Sequence, residues 1–392
     1  MAKATTKATK TAVLTKRGAA RARSGHPWVY RSDIERAAGE AGDVLRVVDR
    51  AGRFLGRAFY NPKSQITLRI ATREDEEINE VFFRSRIEKA QTYRNSLKID
   101  ADAYRLLHGE ADGVPGLVID RYADFFVLQV GSAAVEERLN WIVAALEDLG
   151  TGILLRGDST ARKREGRPTG SRVLYGEAPE SLVVREGPVC YRAQLWAGQK
   201  TGGFLDQQEN HLAVARYASG RVLDVFSYAG GFALHAARVA GQVEAADSSG
   251  DALEAARKNA ELNALTNITF TRANAFDLLR ERSVAGERYD TVILDPPAFA
   301  KTKGGLPAAT RAYKEINLRA MKLLNGGGIL FTCSCSYHFS REMLEETLRS
   351  AAADAGRAIR VREWRGQARD HPEILTIPET HYLKCAVLEC LD

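Results

Sequence analysis

No apolar run in this 392-residue chain approaches the roughly 18 to 20 residues needed to cross a bilayer, so no transmembrane helix and no membrane partner are expected. The first ten residues, Met1 to Lys10, are rich in Ala, Thr and Lys and lack an apolar stretch. That composition argues against a secretory signal and for a short disordered basic leader over residues 1–11. Cysteine is scarce and odd in number: Cys190, Cys333, Cys335, Cys385 and Cys390. This is no disulfide framework, and a reducing cytoplasm is the expected setting. No CxxC pairs with a second CxxC or with spaced histidines, so a structural zinc site is not expected, and no other metal is assigned. Acidic residues are absent from Lys3 to Arg31, where eight Lys and Arg stand. Also missing are any internal repeat and the GxGxxG fingerprint of dinucleotide binding.

What is present fits a globular protein of two or three domains: 45% apolar residues, 27% charged, and a net charge of +6. A second basic cluster gathers Arg156, Arg162, Lys163, Arg164, Arg167 and Arg172. Such blocks supply sequence-independent attraction to phosphates, but a solvated tail and a solvated loop have the same composition. Charge alone does not decide between them.

Residues 12–72 read as short β segments broken by turns, with Val44 to Asp49, Phe54 to Tyr60 and Gln65 to Ile70 the clearest, which suggests a small β-barrel. A helix is expected from Glu76 to Leu97, where Ile78, Val81, Phe82, Ile87, Ala90 and Leu97 share a face. Residues 100–185 alternate strands (Arg105 to His108, Leu117 to Asp120, Phe125 to Val130, Ile153 to Arg156) with an amphipathic helix from Val135 to Leu149, a small α+β module. From about residue 186 strands alternate with helices. The strands are Val222 to Val225, Val243 to Asp247, Ile268 to Thr271, Thr291 to Asp295 and Gly328 to Thr332, the rhythm of a doubly wound, Rossmann-like α/β sheet.

In such a sheet ligands sit beyond the carboxyl ends of the strands. The first strand ends in Asp224-Val225-Phe226-Ser227-Tyr228-Ala229-Gly230-Gly231-Phe232, whose glycines permit a tight turn and close backbone approach. Asp247, at the end of the second strand, stands where a carboxylate can hold both ribose hydroxyls. Without a phosphate-cradling loop, the pattern favours an adenosyl ligand such as S-adenosylmethionine over a dinucleotide. The fourth strand ends in Asp295-Pro296-Pro297-Ala298-Phe299. Prolines hold that turn extended and donate no backbone hydrogen bonds, leaving carbonyls and Asp295 aimed at the cleft. The turn resembles motif IV of base-modifying methyltransferases, which faces a planar target base.

The next strand closes with Thr332-Cys333-Ser334-Cys335-Ser336. Carbon 5 of a pyrimidine is too weakly nucleophilic to take a methyl group directly. A thiolate adding to C6 makes it enamine-like, and only cysteine combines the softness and the accessible thiolate for this near neutrality. Buried structural cysteines are common on central strands, so the position beside Asp-Pro-Pro carries the argument.

With these residues assembled, the chain resembles the bacterial large-subunit ribosomal RNA cytosine-C5 methyltransferases, which join a PUA domain, a central α+β domain and a class I methyltransferase domain. The resemblance runs from about residue 12 through His26-Pro27-Trp28-Val29-Tyr30, Gly109 to Leu117 with Asp120-Arg121, Lys200-Thr201-Gly202-Gly203-Phe204-Leu205-Asp206-Gln207, Phe226 to Phe232, Asp295-Pro296-Pro297, Tyr313-Lys314-Glu315-Ile316-Asn317 and Ser334-Cys335-Ser336. It implies a PUA-like barrel over 12–75, a linker helix over 76–98, a central domain over 99–185 and a methyltransferase domain over 186–392. It implies S-adenosylmethionine held by Lys200, Thr201, Gly202, Phe204, Asp206, Asp224, Phe226, Ser227, Tyr228, Gly230, Gly231, Asp247, Ser248, Asn274, Ala275, Asp295 and Pro296. Catalysis would fall to Cys335, as nucleophile, and Asp295. The implied partner is 23S ribosomal RNA, naked or in an assembly intermediate, with a homodimer admitted but not specified.

Two departures from the family stand out. Asn274 occupies a position where the family often places Asp, and its amide oxygen could still accept from the adenine amine. Cys333, two residues before Cys335, is a rival nucleophile or a helper at the leaving step, since residues i and i+2 of a strand share a face. Two other functions remain open on sequence: a guanine exocyclic-amine methyltransferase, which shares the Lys-Thr-Gly and Phe-Leu-Asp-Gln segment, and a non-catalytic RNA-binding factor.

Overall fold

Short β-rich segments with tight turns build the first half of the chain, and longer strand–helix alternations build the second. The computed structural model describes residues 10–157, 162, 165–166, 168–198, 200–300 and 302–392. Lys3 and Lys7 of the leader, and Lys163, Arg164 and Arg167 of the second basic cluster, lie outside them. No helix among the described residues is long and apolar enough to cross a membrane. The chain forms two compact units.

The first unit comprises Met1–Leu182, Ala193–Gly203 and Asp370–Thr380. Its first sheet has six strands: β1 (Thr11–Leu14), β2 (Trp28–Tyr30), β3 (Ile34–Ala37), β4 (Val44–Val48), β5 (Phe54–Tyr60) and β6 (Ile66–Thr72), ordered β2-β6-β5-β4-β1-β3. Ala12, Leu14, Val29, Leu45, Val47, Ala58 and Leu68 fill its core together with Ala19 and Ala22. The last two come from helix α1 (Lys16–Arg23), whose N-terminus Thr15 caps by accepting from the Gly18 amide. The basic leader is therefore largely folded from Thr11 onward. Its cations meet acids from later in the chain: Lys10 pairs with Asp43, Arg17 with Asp33 and Arg23 with Asp49.

Helix α2 (Glu80–Leu97) starts later than the periodicity suggests, because the Asn79 side chain accepts from the Phe82 amide and fixes the N-terminus there. It packs Phe82, Phe83, Ile87 and Ala90 into a core shared with a five-stranded sheet, β7 (Ala103–His108), β8 (Leu117–Tyr122), β9 (Phe125–Val130), β10 (Gly152–Arg156) and β11 (Arg172–Gly176), ordered β11-β10-β9-β8-β7. The single helix expected over Val135 to Leu149 is in fact two, α3 (Ala133–Glu136) and α4 (Leu139–Leu146), followed by a 3-10 turn. Arg138 leaves helical geometry between them, and its guanidinium donates to the Gly42 and Ala134 carbonyls. A two-stranded hairpin, β12 (Ser181–Glu186) and β13 (Val189–Gln194), contains the unit boundaries.

The second unit comprises Val183–Arg192, Phe204–Arg369 and His381–Asp392. It holds α5 (Gln208–Val214), β14 (Arg221–Val225), α6 (Gly231–Ala237), β15 (Gln242–Asp247), α7 (Gly250–Leu262), β16 (Ile268–Arg272), α8 (Ala275–Val284), β17 (Tyr289–Leu294), α9 (Leu306–Leu323), β18 (Leu324–Ser334), α10 (Arg341–Ala355), β19 (Ile359–Arg365) and β20 (Lys384–Cys390). The strand order is β16-β15-β14-β17-β18-β20-β19, parallel from β16 through β18 and antiparallel at β20 and β19. This is the doubly wound α/β arrangement expected from the sequence, with its switch point between β14 and β17, where ligands bind in open sheets. The two strands at the far edge, where β20 runs antiparallel to both its neighbours and β19 points the same way as β18, have no counterpart in the sequence reading, because their alternation is interrupted by charges such as Glu363 and Glu389.

Candidate active site

At the switch point β14 runs directly into a strained loop. Phe226 and Tyr228 both adopt left-handed backbone, with φ of 68° and 49°, and Gly230 follows at 89°. Such geometry in non-glycine residues costs of order 1–3 kcal/mol each and concentrates at functional sites. The surroundings hold it in place. The Ser227 amide donates to Ala246 O at 3.1 Å, the Tyr228 amide to Asp247 Oδ2 at 3.0 Å, and Asn259 Nδ2 to Ala229 O at 3.1 Å. Beneath the turn into α6, a Cβ at Gly231 would come within 2.5 Å of the His211 ring, so only glycine fits. His211 and His235 both bond Glu186 Oε1, at 2.9 and 3.0 Å. Burial opposes ionisation of Glu186, yet the two imidazoles hold its carboxyl down to about 2.

Inside this loop the carboxylates differ. Asp224 is fully buried, and neither of its side-chain oxygens has a hydrogen-bond partner. Burial, then the charges of Asp295 and Asp247, push its carboxyl well above the usual range. The Ser227 hydroxyl is likewise buried and unpartnered. Buried polar groups are normally satisfied, so an orphaned carboxylate at a ligand-binding edge suits a cationic ligand group. Asp247 spends one lone pair on each oxygen, toward the Tyr228 and Ser249 amides, and keeps others for hydroxyl donors. Ser248 is exposed beside it. Phe204 stands edge-on to Tyr228, their ring centres 5.3 Å apart.

Asn274 behaves differently from expectation. Its amide oxygen accepts from the Phe276 and Asp277 amides, at 2.9 and 3.4 Å, and so caps α8 just before Ala275. With that oxygen engaged by two donors, the side chain offers its NH2 group, a donor that suits an adenine ring nitrogen and not the adenine amine. Asp206 is also committed: it is buried, and its Oδ2 accepts from the Tyr382 hydroxyl at 2.8 Å.

At the end of β17, Asp295 Oδ1 accepts from Gln207 Nε2 at 2.8 Å. Gln207 Oε1 accepts from Asn210 Nδ2 at 2.7 Å, and Asn210 Oδ1 from Arg365 Nε at 2.8 Å. This chain orients Asp295. Gln207 lies in the Phe-Leu-Asp-Gln segment quoted above, where its role was not legible because its partner is 88 residues away.

Cys335 lies just past the end of β18, and its Sγ is 3.9 Å from the Pro296 carbonyl of the Asp-Pro-Pro turn. Tyr313 clamps the residues on either side: the Ser334 hydroxyl donates to Tyr313 Oη at 2.9 Å, and the Ser336 hydroxyl lies 3.0 Å from it. Ser336 Oγ also accepts from the Ala300 amide, and Lys384 Nζ donates to Ser336 O at 2.8 Å. Tyr313 itself stacks on Phe339 and meets Phe299 at a tilt.

Cys333 does not fit the rival role proposed for it. It is fully buried in β18 opposite Cys385 on β20, and that neighbouring thiol together with burial raises it well above the ordinary range. The face-sharing argument fails because the strand ends at Ser334, so Cys335 no longer follows its alternation.

Lys200, Thr201 and Gly202 belong to the first unit. Thr201 is fully buried, and its hydroxyl donates to Asp120 Oδ2 at 2.6 Å beside Tyr122 Oη at 3.1 Å, so only its backbone is left for a ligand. The second basic cluster needs a correction as well. Arg156 is buried and donates to the Leu195 and Gly198 carbonyls; Arg162 is fully buried and meets both oxygens of Glu136. Arg172 also reaches Glu136. Arg156 and Arg162 are structural groups and not phosphate contacts.

Comparison with known proteins accounts for this arrangement. Residues 106–363 match the model of S-adenosylmethionine-dependent methyltransferases, more than half of the chain. The chain belongs to this family. Residues 12–73 match a PUA-like domain. The methyltransferase is 41% identical over 372 residues to Ribosomal RNA large subunit methyltransferase I of Klebsiella pneumoniae (strain 342), covering 92% of this chain and 93% of that protein. It is 41% identical over 371 residues to the protein of the same name from Escherichia coli O139:H28, covering 92% and 94%. Its fold matches a solved structure described as a SAM-dependent methyltransferase from Streptococcus mutans, with a TM-score of 0.82 at 20% identity over 96% of this chain and 99% of that one. A further methyltransferase structure, complexed with SAH, matches with a TM-score of 0.83 at 20% identity over the same shares. S-Adenosylmethionine is accordingly this enzyme's cofactor.

Proposed function

We propose that this enzyme forms 5-methylcytosine in large-subunit ribosomal RNA, in the cytoplasm, through a covalent adduct between Cys335 and C6 of the target base. Ribosomal RNA rests on the named relatives and on the PUA-like domain. The cysteine chemistry rests on one observation: Cys335 Sγ stands against the Asp-Pro-Pro turn, with both neighbouring serines locked by Tyr313. Bound S-adenosylmethionine supplies an electrophilic methyl group. Asp224 fits its ammonium and Asp247 its ribose hydroxyls, while Ser227, Gly230, Gly231 and Tyr228 line the same loop. For Lys200, Thr201 and Gly202 a cofactor role rests on the sequence resemblance alone.

Cys335, as thiolate, adds to C6 and makes C5 nucleophilic. Asp295, held by Gln207, faces the exocyclic amine or N3 as charge develops on the ring. Once C5 carries the methyl group, its proton passes to a solvent base, the C5–C6 double bond re-forms and the C6–S bond breaks to release the thiolate. Cys335→Ala lowers methyl transfer by about four orders of magnitude or more while cofactor affinity stays near wild type, since the thiol acts on the base. RNA carrying 5-fluorocytosine traps an adduct that maps to Cys335, because fluorine blocks the final proton loss. Full activity in Cys335→Ala with no adduct would instead indicate methylation of a guanine amine.

A further inference from the structure

Lys384 is the first residue of β20, and only 3% of it is exposed. Its Nζ donates to two backbone carbonyls, Ser336 at 2.8 Å and Tyr382 at 2.9 Å. A neutral amine has two N–H bonds and one lone pair, so two carbonyls exhaust its donors and leave the lone pair for one further partner; an ammonium leaves its third N–H there. Ser336, whose carbonyl holds the Lys384 Nζ, is the neighbour of Cys335, and a thiolate at Cys335 would favour the charged form of Lys384 against burial.

We propose that Lys384 is the proton acceptor for Cys335: its neutral amine takes the thiol proton, and the ammonium formed holds the thiolate poised for C6. The S–H bond breaks and an N–H bond forms, with no change of oxidation state. After elimination the ammonium stabilises the returning thiolate or gives the proton back. Burial supports the role, because it brings the Lys384 ammonium down to about 8, into the range where an amine and a thiol exchange a proton readily.

Among the described residues, Asp295, Tyr313, Cys333 and Asp206 stand at this end of the sheet with partners of their own. Asp295, after β17, accepts from Gln207. Tyr313, on α9, is raised by burial and bonded to two serines. Cys333 is raised by Cys385 and burial, and Asp206 accepts from Tyr382. This inference rests on Cys335 as the nucleophile.

The test follows Cys335 directly, by the pH dependence of its iodoacetamide alkylation in the full chain, mapped by peptide mass spectrometry. In the wild type the alkylation midpoint falls below that of an ordinary free thiol, about 8.5. Lys384→Gln, whose amide can still donate to the carbonyls, slows alkylation about tenfold near neutrality and moves the optimum of methyl transfer to higher pH. Lys384→Arg restores the cation, and with it fast alkylation and part of the activity. S-Adenosylmethionine affinity, read by calorimetry, stays near wild type in both variants. A wild-type midpoint at or above 8.5, an unchanged profile in Lys384→Gln, or equal loss in the Gln and Arg variants would each overturn the role of Lys384. Full activity in Cys335→Ala would sink the nucleophile itself and is a separate result.

Discussion

In the first unit, Arg94 and Arg162 are completely buried, and each meets a carboxylate through two hydrogen bonds: Arg94 with Asp112, Arg162 with Glu136. In the second unit, Asp224 is equally buried, and neither of its oxygens has a well-formed hydrogen bond, the Ala233 amide acting on it only weakly against burial and the neighbouring charges. The same physics governs both. A charge removed from water must be compensated, and the first unit compensates internally while the second leaves the position open. Arg94 also donates to Asp370 O, so its pair ties the returning 370–380 segment into the first unit. A buried ionisable group with its partner in place is architecture; one held neutral for want of a partner is a candidate position for a ligand group to complete.

That contrast can be broken by experiment, most severely on the paired side. Arg94→Met or Arg162→Met strands a largely buried carboxylate and lowers unfolding free energy by about 3–5 kcal/mol, measured by urea denaturation. If Arg162 were instead a phosphate contact, its substitution would spare stability and flatten the salt dependence of RNA binding. The expected result is an unchanged salt slope in a destabilised protein.

Asp224→Asn acts in the opposite sense. Loss of a charge-assisted contact to the cofactor ammonium weakens S-adenosylmethionine binding by about 1.5–3 kcal/mol, read by calorimetry. The free protein does not lose stability. Because the folded carboxyl is raised above its ordinary value, the folded state keeps a proton that the unfolded chain releases. The wild type therefore becomes less stable relative to Asp224→Asn as pH rises from about 4 toward the folded value, and not as it falls. Melting curves of the two free proteins that run parallel across this range would remove Asp224 from the role of an uncompensated buried acid.

The smallest effect belongs to Asn274. As a helix cap its replacement by Ala costs about 1 kcal/mol of stability, whereas Asn274→Asp preserves the cap and leaves stability within about 0.5 kcal/mol. Cofactor affinity that drops far more than stability in Asn274→Ala would show that its amide holds adenine as its main task.

Much of this was legible in one dimension because it depends on local chemistry. Alternating strands and helices announce a doubly wound sheet, Gly230 and Gly231 announce a tight turn at its ligand-binding edge, and Asp295-Pro296-Pro297 near Cys335 is the pattern from which base chemistry is proposed. These patterns lie within a few residues of one another, so periodicity and spacing carry them. The role of the basic clusters was undecidable for the complementary reason. Composition counts cations without showing that Arg162 finds Glu136 26 residues upstream, or that Arg23 finds Asp49.

Sequence by itself determined the sheet, the cofactor loop and the identity of the candidate nucleophile. Tertiary structure decided which of two cysteines two residues apart is sealed inside the sheet and which lies past its edge against the Asp-Pro-Pro turn, since that turns on where β18 ends and what β20 places opposite it. It likewise decided that Asn274 caps a helix, that Gln207 steers Asp295, and that Lys384 reaches the carbonyl next to Cys335 from 48 residues away. Side-chain partners are set by burial and by strand order, and neither is written in the spacing of the residues they join.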